Sequence, residues 1–290
     1  MIFRCATCTC LLALLALSCS RVPSPLTPAF HGSVGLPHQG SLTDAVQLPS
    51  QGPAHRWFRA AGHHYGTREI VDAIQFAAAS VQQQYPGSPK LLVGDLSAQA
   101  GGKLPGHASH RTGRDADLLF YMSSLSGQPI EAAGFTRFGA DGLAELETPR
   151  GTQFVQFDIP RNWALVRALV QAPGPGVLWV FVSRPLEALL TEYAFAIGED
   201  PELVWHAENV MLQPRNALPH DDHFHLRIGC TPEQAIAGCE NNGPNWPWLR
   251  PQPTLAWPDD DDGVAAAIDV DSLPPLRAEP ALVSQHGASR

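Results

Sequence analysis

The sequence predicts a mixed fold of helices and short strands joined by long loops. Three segments show helical apolar spacing, and four short apolar runs bounded by glycine or polar residues read as strands. Histidine and aspartate concentrate where two of those strands begin, which marks the place to look for function.

The first helix is expected over "TREIVDAIQFAAASVQQQ", where Ile70, Ile74, Ala77, Ala78 and Val81 recur on one face and Thr67 is placed to cap. "PGSP" breaks it, and "KLLVGD" follows as a short buried strand. A glycine-bearing loop, "LSAQAGGKLPG", leads into "HASHRTGRDAD" at 107–117, which runs on into the apolar strand "ADLLFYM". "IPRNWALVRALVQA" is a second helix, gathering Trp163, Val166, Leu169 and Val170 on one side. "PGPG" stops it, and "VLWVFVS", apolar on both faces, reads as an inner strand. A third helix, "RPLEALLTEYAFAIG", precedes the last strand, "HFHLRIG".

Length and composition bound the function. The 290 residues allow one large domain or two modest ones. A formal net charge of −9 argues against a nucleic-acid partner, which selects a basic face. The N-terminus reads as an export signal: Arg4, then the apolar run "LLALLALS" at 11–18, too short to span a bilayer, then "SCS". Cys19 is a candidate lipidation site that would anchor the chain to a membrane; simple cleavage and release is the alternative.

The expected boundaries are a signal at 1–19, a Pro/Ser-rich spacer and irregular segment at 20–56, a folded domain at 57–250 and a Pro/Asp-rich tail at 251–290. The DDDD run at 259–262 reads as a solvated acidic turn. Cys5, Cys8 and Cys10 leave with the signal, so Cys230 and Cys239 are expected to form a disulfide in an oxidising compartment.

The two polar clusters carry the chemistry. On a strand, His223 and His225 share a face while Phe224 turns into apolar packing. By themselves the two imidazoles are metal ligands, a ligand with an acid–base partner, or surface histidines. In the first cluster Asp115 shares a strand face with Asp117, and Gly113 lets His110 fold back over that strand. His110, Asp117 and His225 can then converge. Three protein ligands and an open position is the pattern of catalytic zinc, where bound water becomes a nucleophile near neutral pH. The same donor set suits iron, but that triad usually places its histidine and carboxylate two positions apart.

His223 is then placed as a general base, or as a stabiliser of the developing oxyanion. His107 and His220 are expected to line the site, Asp221 and Asp222 either to orient an imidazole or to be simple loop residues, and Asp115 to support the ligands or the fold. Arg111, Arg114 and Arg227 are near enough in sequence to meet substrate carboxylates, although surface positions are the reading the sequence favours.

"GDLSAQAGGKLPGHASHRTGRDAD" together with "HDDHFHLRIGC" resembles the penicillin-insensitive murein endopeptidases. These are related to D-Ala-D-Ala carboxypeptidases, lysostaphin-type enzymes and hedgehog domains through a shared H-x6-D and distant H-x-H pattern, met here by His110, Asp117, His223 and His225. The "GG…HASH-x-x-G" lead-in points to the endopeptidase branch.

The resemblance implies an α+β fold, a small antiparallel sheet carrying the metal site and flanked by helices and long loops. It implies one zinc ion on His110, Asp117 and His225, with His223 as the base and His107 and His220 nearby. The Cys230–Cys239 pair also matches a disulfide position in that branch. The implied reaction is hydrolysis of D-alanyl–meso-diaminopimelyl cross-links in peptidoglycan, in the periplasm. A D-Ala-D-Ala carboxypeptidase on the same site, and an inactive zinc-containing wall-binding module, are the alternatives. Other cysteines expected of the enteric enzymes are missing here.

Overall fold

The computed structural model describes residues 31–149 and 151–253. The signal, Cys19, the acidic run at 259–262 and nearly all of the tail lie outside the described residues.

The segment expected to be irregular carries strands from Ser33 on. A hairpin pairs β1 (Ser33–Leu36) with β2 (Gln39–Leu42), and two short strands follow, β3 (Val46–Gln47) and β4 (His55–Trp57). After β5 (Tyr65–Gly66) the first helix, α1, runs Arg68–Gln84 and buries Ile70, Ile74, Ala77, Ala78 and Val81. Thr67 sits at its N-cap, but its side chain makes no capping hydrogen bond. Strands β6 (Leu91–Val93), β7 (Asp115–Leu119), β8 (Met122–Ser124) and β9 (Pro129–Ile130) come next. A hairpin of β10 (Leu143–Thr148) and β11 (Gly151–Phe157) leads to α2 (Ile159–Val170), capped by the Asp158 carboxylate.

Then come β12 (Val177–Phe181), α3 (Arg184–Ala196), α4 (Pro201–Val210), β13 (Met211–Leu212), β14 (His223–Ile228) and α5 (Pro232–Ile236).

The fold is α+β. Its central sheet has the order β13-β12-β14-β7-β6-β4. The four inner strands are antiparallel, and each edge adds a parallel pair, β12 with β13 and β6 with β4. A second sheet, β10-β11-β8-β9, continues from β7 through Phe120 and Tyr121.

Alternation on β7 and β14 divides the central sheet into two faces. Ala116, Leu118, Phe224, Leu226 and Ile228 are buried in one core with Ile70, Ile74, Trp163 and Leu165 of α1 and α2. Phe224 meets Phe120 edge-on at 4.7 Å, and Phe120 meets Phe157 at 4.9 Å, so the core reaches into the second sheet. The opposite face carries the charged and imidazole side chains.

Arg114 ties the N-terminal hairpin to this sheet. Its guanidinium is fully buried and donates to Ser33 Oγ (2.8 Å), Ile228 O (3.2 Å), Glu240 O (2.8 Å) and Asn241 Oδ1 (3.3 Å). The last two acceptors directly follow Cys239, which the disulfide ties to Cys230 just past the end of β14. The surface position favoured for Arg114 and Arg227 is therefore corrected: both are buried, because each guanidinium has polar partners inside the fold.

Arg114→Met would strand several buried acceptors and is expected to lower the unfolding free energy by about 3 kcal/mol. Urea denaturation checks this. A change under about 0.5 kcal/mol, the usual surface range, would contradict the clamp.

Candidate metal centre

The register between β7 and β14 builds the centre. His225 stands opposite Asp117, and Arg227 opposite Asp115, on one sheet face. His110 arrives from the preceding loop through two residues with positive φ, His110 itself (+64°) and Gly113 (+72°). A Cβ on Gly113 would meet the Leu42 side chain at 2.7 Å and the Thr67 nitrogen at 3.1 Å, so close approach as well as φ requires glycine. Ser97 locks the turn, donating from Oγ to His110 O and accepting there from Gly113 N–H.

Hydrogen bonds select the tautomers. His110 Nδ1 lies 2.6 Å from Leu96 O and donates to it, which leaves Nε2 as a lone pair facing Asp117 Oδ1 at 3.3 Å. His225 Nε2 lies 3.0 Å from Asp115 Oδ1, which leaves Nδ1 facing Asp117 Oδ1 at 3.6 Å. His223 gives Nδ1 to Asp222 and turns Nε2 to Asp117 Oδ1 at 3.4 Å. The free nitrogens of His110 and His225 thus converge, with His223 Nε2, on one carboxylate oxygen. Asp117 Oδ1 and His110 Nε2 are both buried and make no hydrogen bond. Buried polar atoms are normally paired, so two orphans aimed at each other are what a cation site requires.

Among the described residues two groups of side chains could hold a metal ion, His107–His110–Asp117 and His220–His223–His225. They are halves of one cluster, since the His110 and His225 rings lie 4.6 Å apart. His110, Asp117 and His225, the ligands the sequence suggested, are drawn from both halves. The structure thus brings all five histidines and Asp117 together.

Charge follows burial and pairing. Burial works to raise the Asp117 carboxyl, but His110 and His223 outweigh it and hold it well below the usual range. Burial lowers His225 and His220 to about 4. Burial would also lower His223, yet Asp117 and Asp222 bring it up to about 9.

Asp115 does what a supporting residue must. It accepts from His225, from Arg227 Nε at 2.6 Å and from the His110 amide at 3.0 Å. Asp222 orients His223, whereas the Asp221 carboxylate lies 3.9 Å from Arg137. Arg111 is half-buried.

Asp95 went unrecognised in the sequence. It lies 3.2 Å from His107 Nε2, which holds its carboxyl down at about 2, and its backbone carbonyl accepts from Asp117 N–H at 3.0 Å. Its one signal was its position at the end of the strand "KLLVGD".

Fold and cluster together define an α+β protein with a His/Asp centre able to hold a metal ion. The family described as penicillin-insensitive murein endopeptidase matches residues 33–248. The chain belongs to that family. Relatives bearing the same description include one from Haemophilus influenzae, 25% identical over 229 residues, covering 77% of this chain and 71% of the relative. One from Klebsiella pneumoniae is 26% identical, covering 81% of both chains. One from Escherichia coli O139:H28 is 33% identical over 235 residues, covering 77% of this chain and 78% of the relative.

Asp115→Asn keeps the shape but weakens the hold on His225. Metal affinity, read by chelator competition, is expected to fall about 10–100-fold. Unchanged affinity would show that Asp115 serves the fold alone.

Proposed function

We propose that the chain is a zinc-dependent endopeptidase that hydrolyses D-alanyl–meso-diaminopimelyl cross-links in peptidoglycan. The observation that carries this reading is the convergence of imidazole lone pairs on the unpaired Asp117 oxygen, in a member of the murein endopeptidase family. His110 through Nε2, Asp117 through Oδ1 and His225 through Nδ1 are the proposed ligands. Two imidazoles and a carboxylate suit zinc, and Cys230 and Cys239 are committed to the disulfide.

Zinc so bound supplies Lewis acidity, polarising a carbonyl and lowering the pKa of water. His223 is the proposed base. Its Nε2 faces the centre while Asp222 fixes its tautomer, so it can take a proton from the attacking water and return it to the departing amine. Positive charge brought to Asp117 offsets one of the two carboxylates that raise the His223 pKa. His107, fixed by Asp95, and His220 line the site. No step uses a serine, so agents that acylate serine find no target here.

The disulfide supports an oxidising compartment, in line with export to the periplasm through the segment at 1–19. Among the described residues no helix is long and apolar enough to cross a membrane. Attachment through Cys19 remains part of the proposal.

Cross-linked muropeptide dimers and pentapeptide monomers, digested in parallel and read by mass spectrometry, test the reading. Dimers should be cut, and His223→Ala should slow cleavage about 10²–10⁴-fold while the metal stays bound. Release of terminal D-Ala with dimers intact would instead establish a carboxypeptidase, and wall binding without cleavage a binding module.

A further inference from the structure

The described chain ends by laying two indoles on β12. Trp246 Nε1 donates to Leu178 O at 3.1 Å and Trp248 Nε1 to Val177 O at 2.9 Å, and the two rings stack with centroids 5.0 Å apart. Leu178 is the extra residue of a bulge in the β12–β14 pairing. Packing accounts for these two tryptophans, whose N–H groups are bonded to backbone. It does not account for Trp205 of α4, which meets Trp248 edge-on at 5.4 Å and is 49% exposed. Beside it His206 lies against Trp248, ring centroids 3.8 Å apart.

Trp205, His206 and Trp248, with Gln171, Asp200 and Glu202, line an open cavity of about 360 Å³. Its chemistry is selective. The lining holds aromatic faces, an amide and two carboxylates, and no lysine or arginine. Burial lowers His206 to about 4, so its ring is neutral at pH 7, and Nε2 has no hydrogen-bond partner. An anion would meet repulsion here, and a purely apolar guest would strand the polar groups. A neutral polyol fits both halves: its C–H faces lie on indole while its hydroxyls bond to carboxylate and amide.

Ring contacts continue from the cavity to the metal centre. Trp246 meets Trp179 at 5.6 Å, Trp179 meets Phe181 at 6.1 Å, and Phe181 meets His225 at 5.1 Å. From Val177 to Phe181 this line follows β12 for about 13 Å.

We propose that this cavity is a saccharide subsite for the glycan backbone of peptidoglycan, an uncharged N-acetylated pyranose chain, held while its peptide branch reaches the metal centre. The proposal rests on the murein reading above and adds a binding site to it.

A peptide-free tetramer of N-acetylglucosamine, titrated into the full chain by calorimetry and tryptophan fluorescence, provides the test. Saturable binding is expected, weakened at least about tenfold by Trp205→Ala and largely retained by Trp205→Phe, which keeps an aromatic face. Glu202→Gln, an exposed change, should weaken binding as well and carries the comparison if Trp205→Ala does not fold. Absence of binding by the wild type, or affinity unaltered in both Trp205→Ala and Glu202→Gln, would overturn the proposal. The tetramer holds no cross-link, so the two readings fail separately. Saccharide binding without cleavage of muropeptides removes the endopeptidase, and cleavage without saccharide binding removes the subsite.

Discussion

A buried carboxylate is the constraint around which this protein is arranged. Asp117 is 3% exposed, and an ionised carboxylate so enclosed is costly unless positive or hydrogen-bonding partners surround it. Its Oδ1 faces His110, His223 and His225 within 3.3 to 3.6 Å and makes no hydrogen bond. The imidazoles in turn need their far nitrogens satisfied, which Leu96 O, Asp222 and Asp115 provide. Asp115, fully buried itself, is balanced by Arg227. Each layer pairs the layer inside it, the kind of support that holds candidate metal ligands in place.

The same two strands serve the core. Phe224 and Leu226 alternate with His223, His225 and Arg227, so a slip of one residue would turn the imidazoles into the aromatic core and Phe224 into the centre. The ring contacts of Phe224 with Phe120 and Phe157 therefore fix the register of the chemistry as well as of the sheet. Outside the strands, Arg114 performs a comparable task, joining the N-terminal hairpin and the segment after Cys239 to the strand ends beside Asp115.

The polar pairings and the long helices were legible in the sequence because both depend on local spacing. The H-x-H strand and the stretch from His110 to Asp117 show their periodicity directly, as do α1, α2 and α3. Short strands were not: β1 to β4 are two to four residues long, too brief to show periodicity, and β3 and β4 form only through partners further along the chain, as when β4 pairs with β6. Helix α4 was not anticipated, although Asp200 and Pro201 offer a cap followed by a first-turn proline: its ten residues are brief and Trp205 points outward. Asp95 and the buried arginines escaped for another reason. Their roles arise from segments that meet only in three dimensions, Asp95 with His107 and Arg114 with residues 33, 228, 240 and 241.

The central claim is that Asp117 is where a metal ion is held. X-ray absorption at the zinc edge, on zinc-loaded protein with metal content measured alongside, tests it most directly. The account predicts one ion per chain in a shell of nitrogen and oxygen with imidazole scattering and no sulfur, and loss of that ion in Asp117→Ala. Sulfur in the shell, or full zinc content in Asp117→Ala, would contradict it.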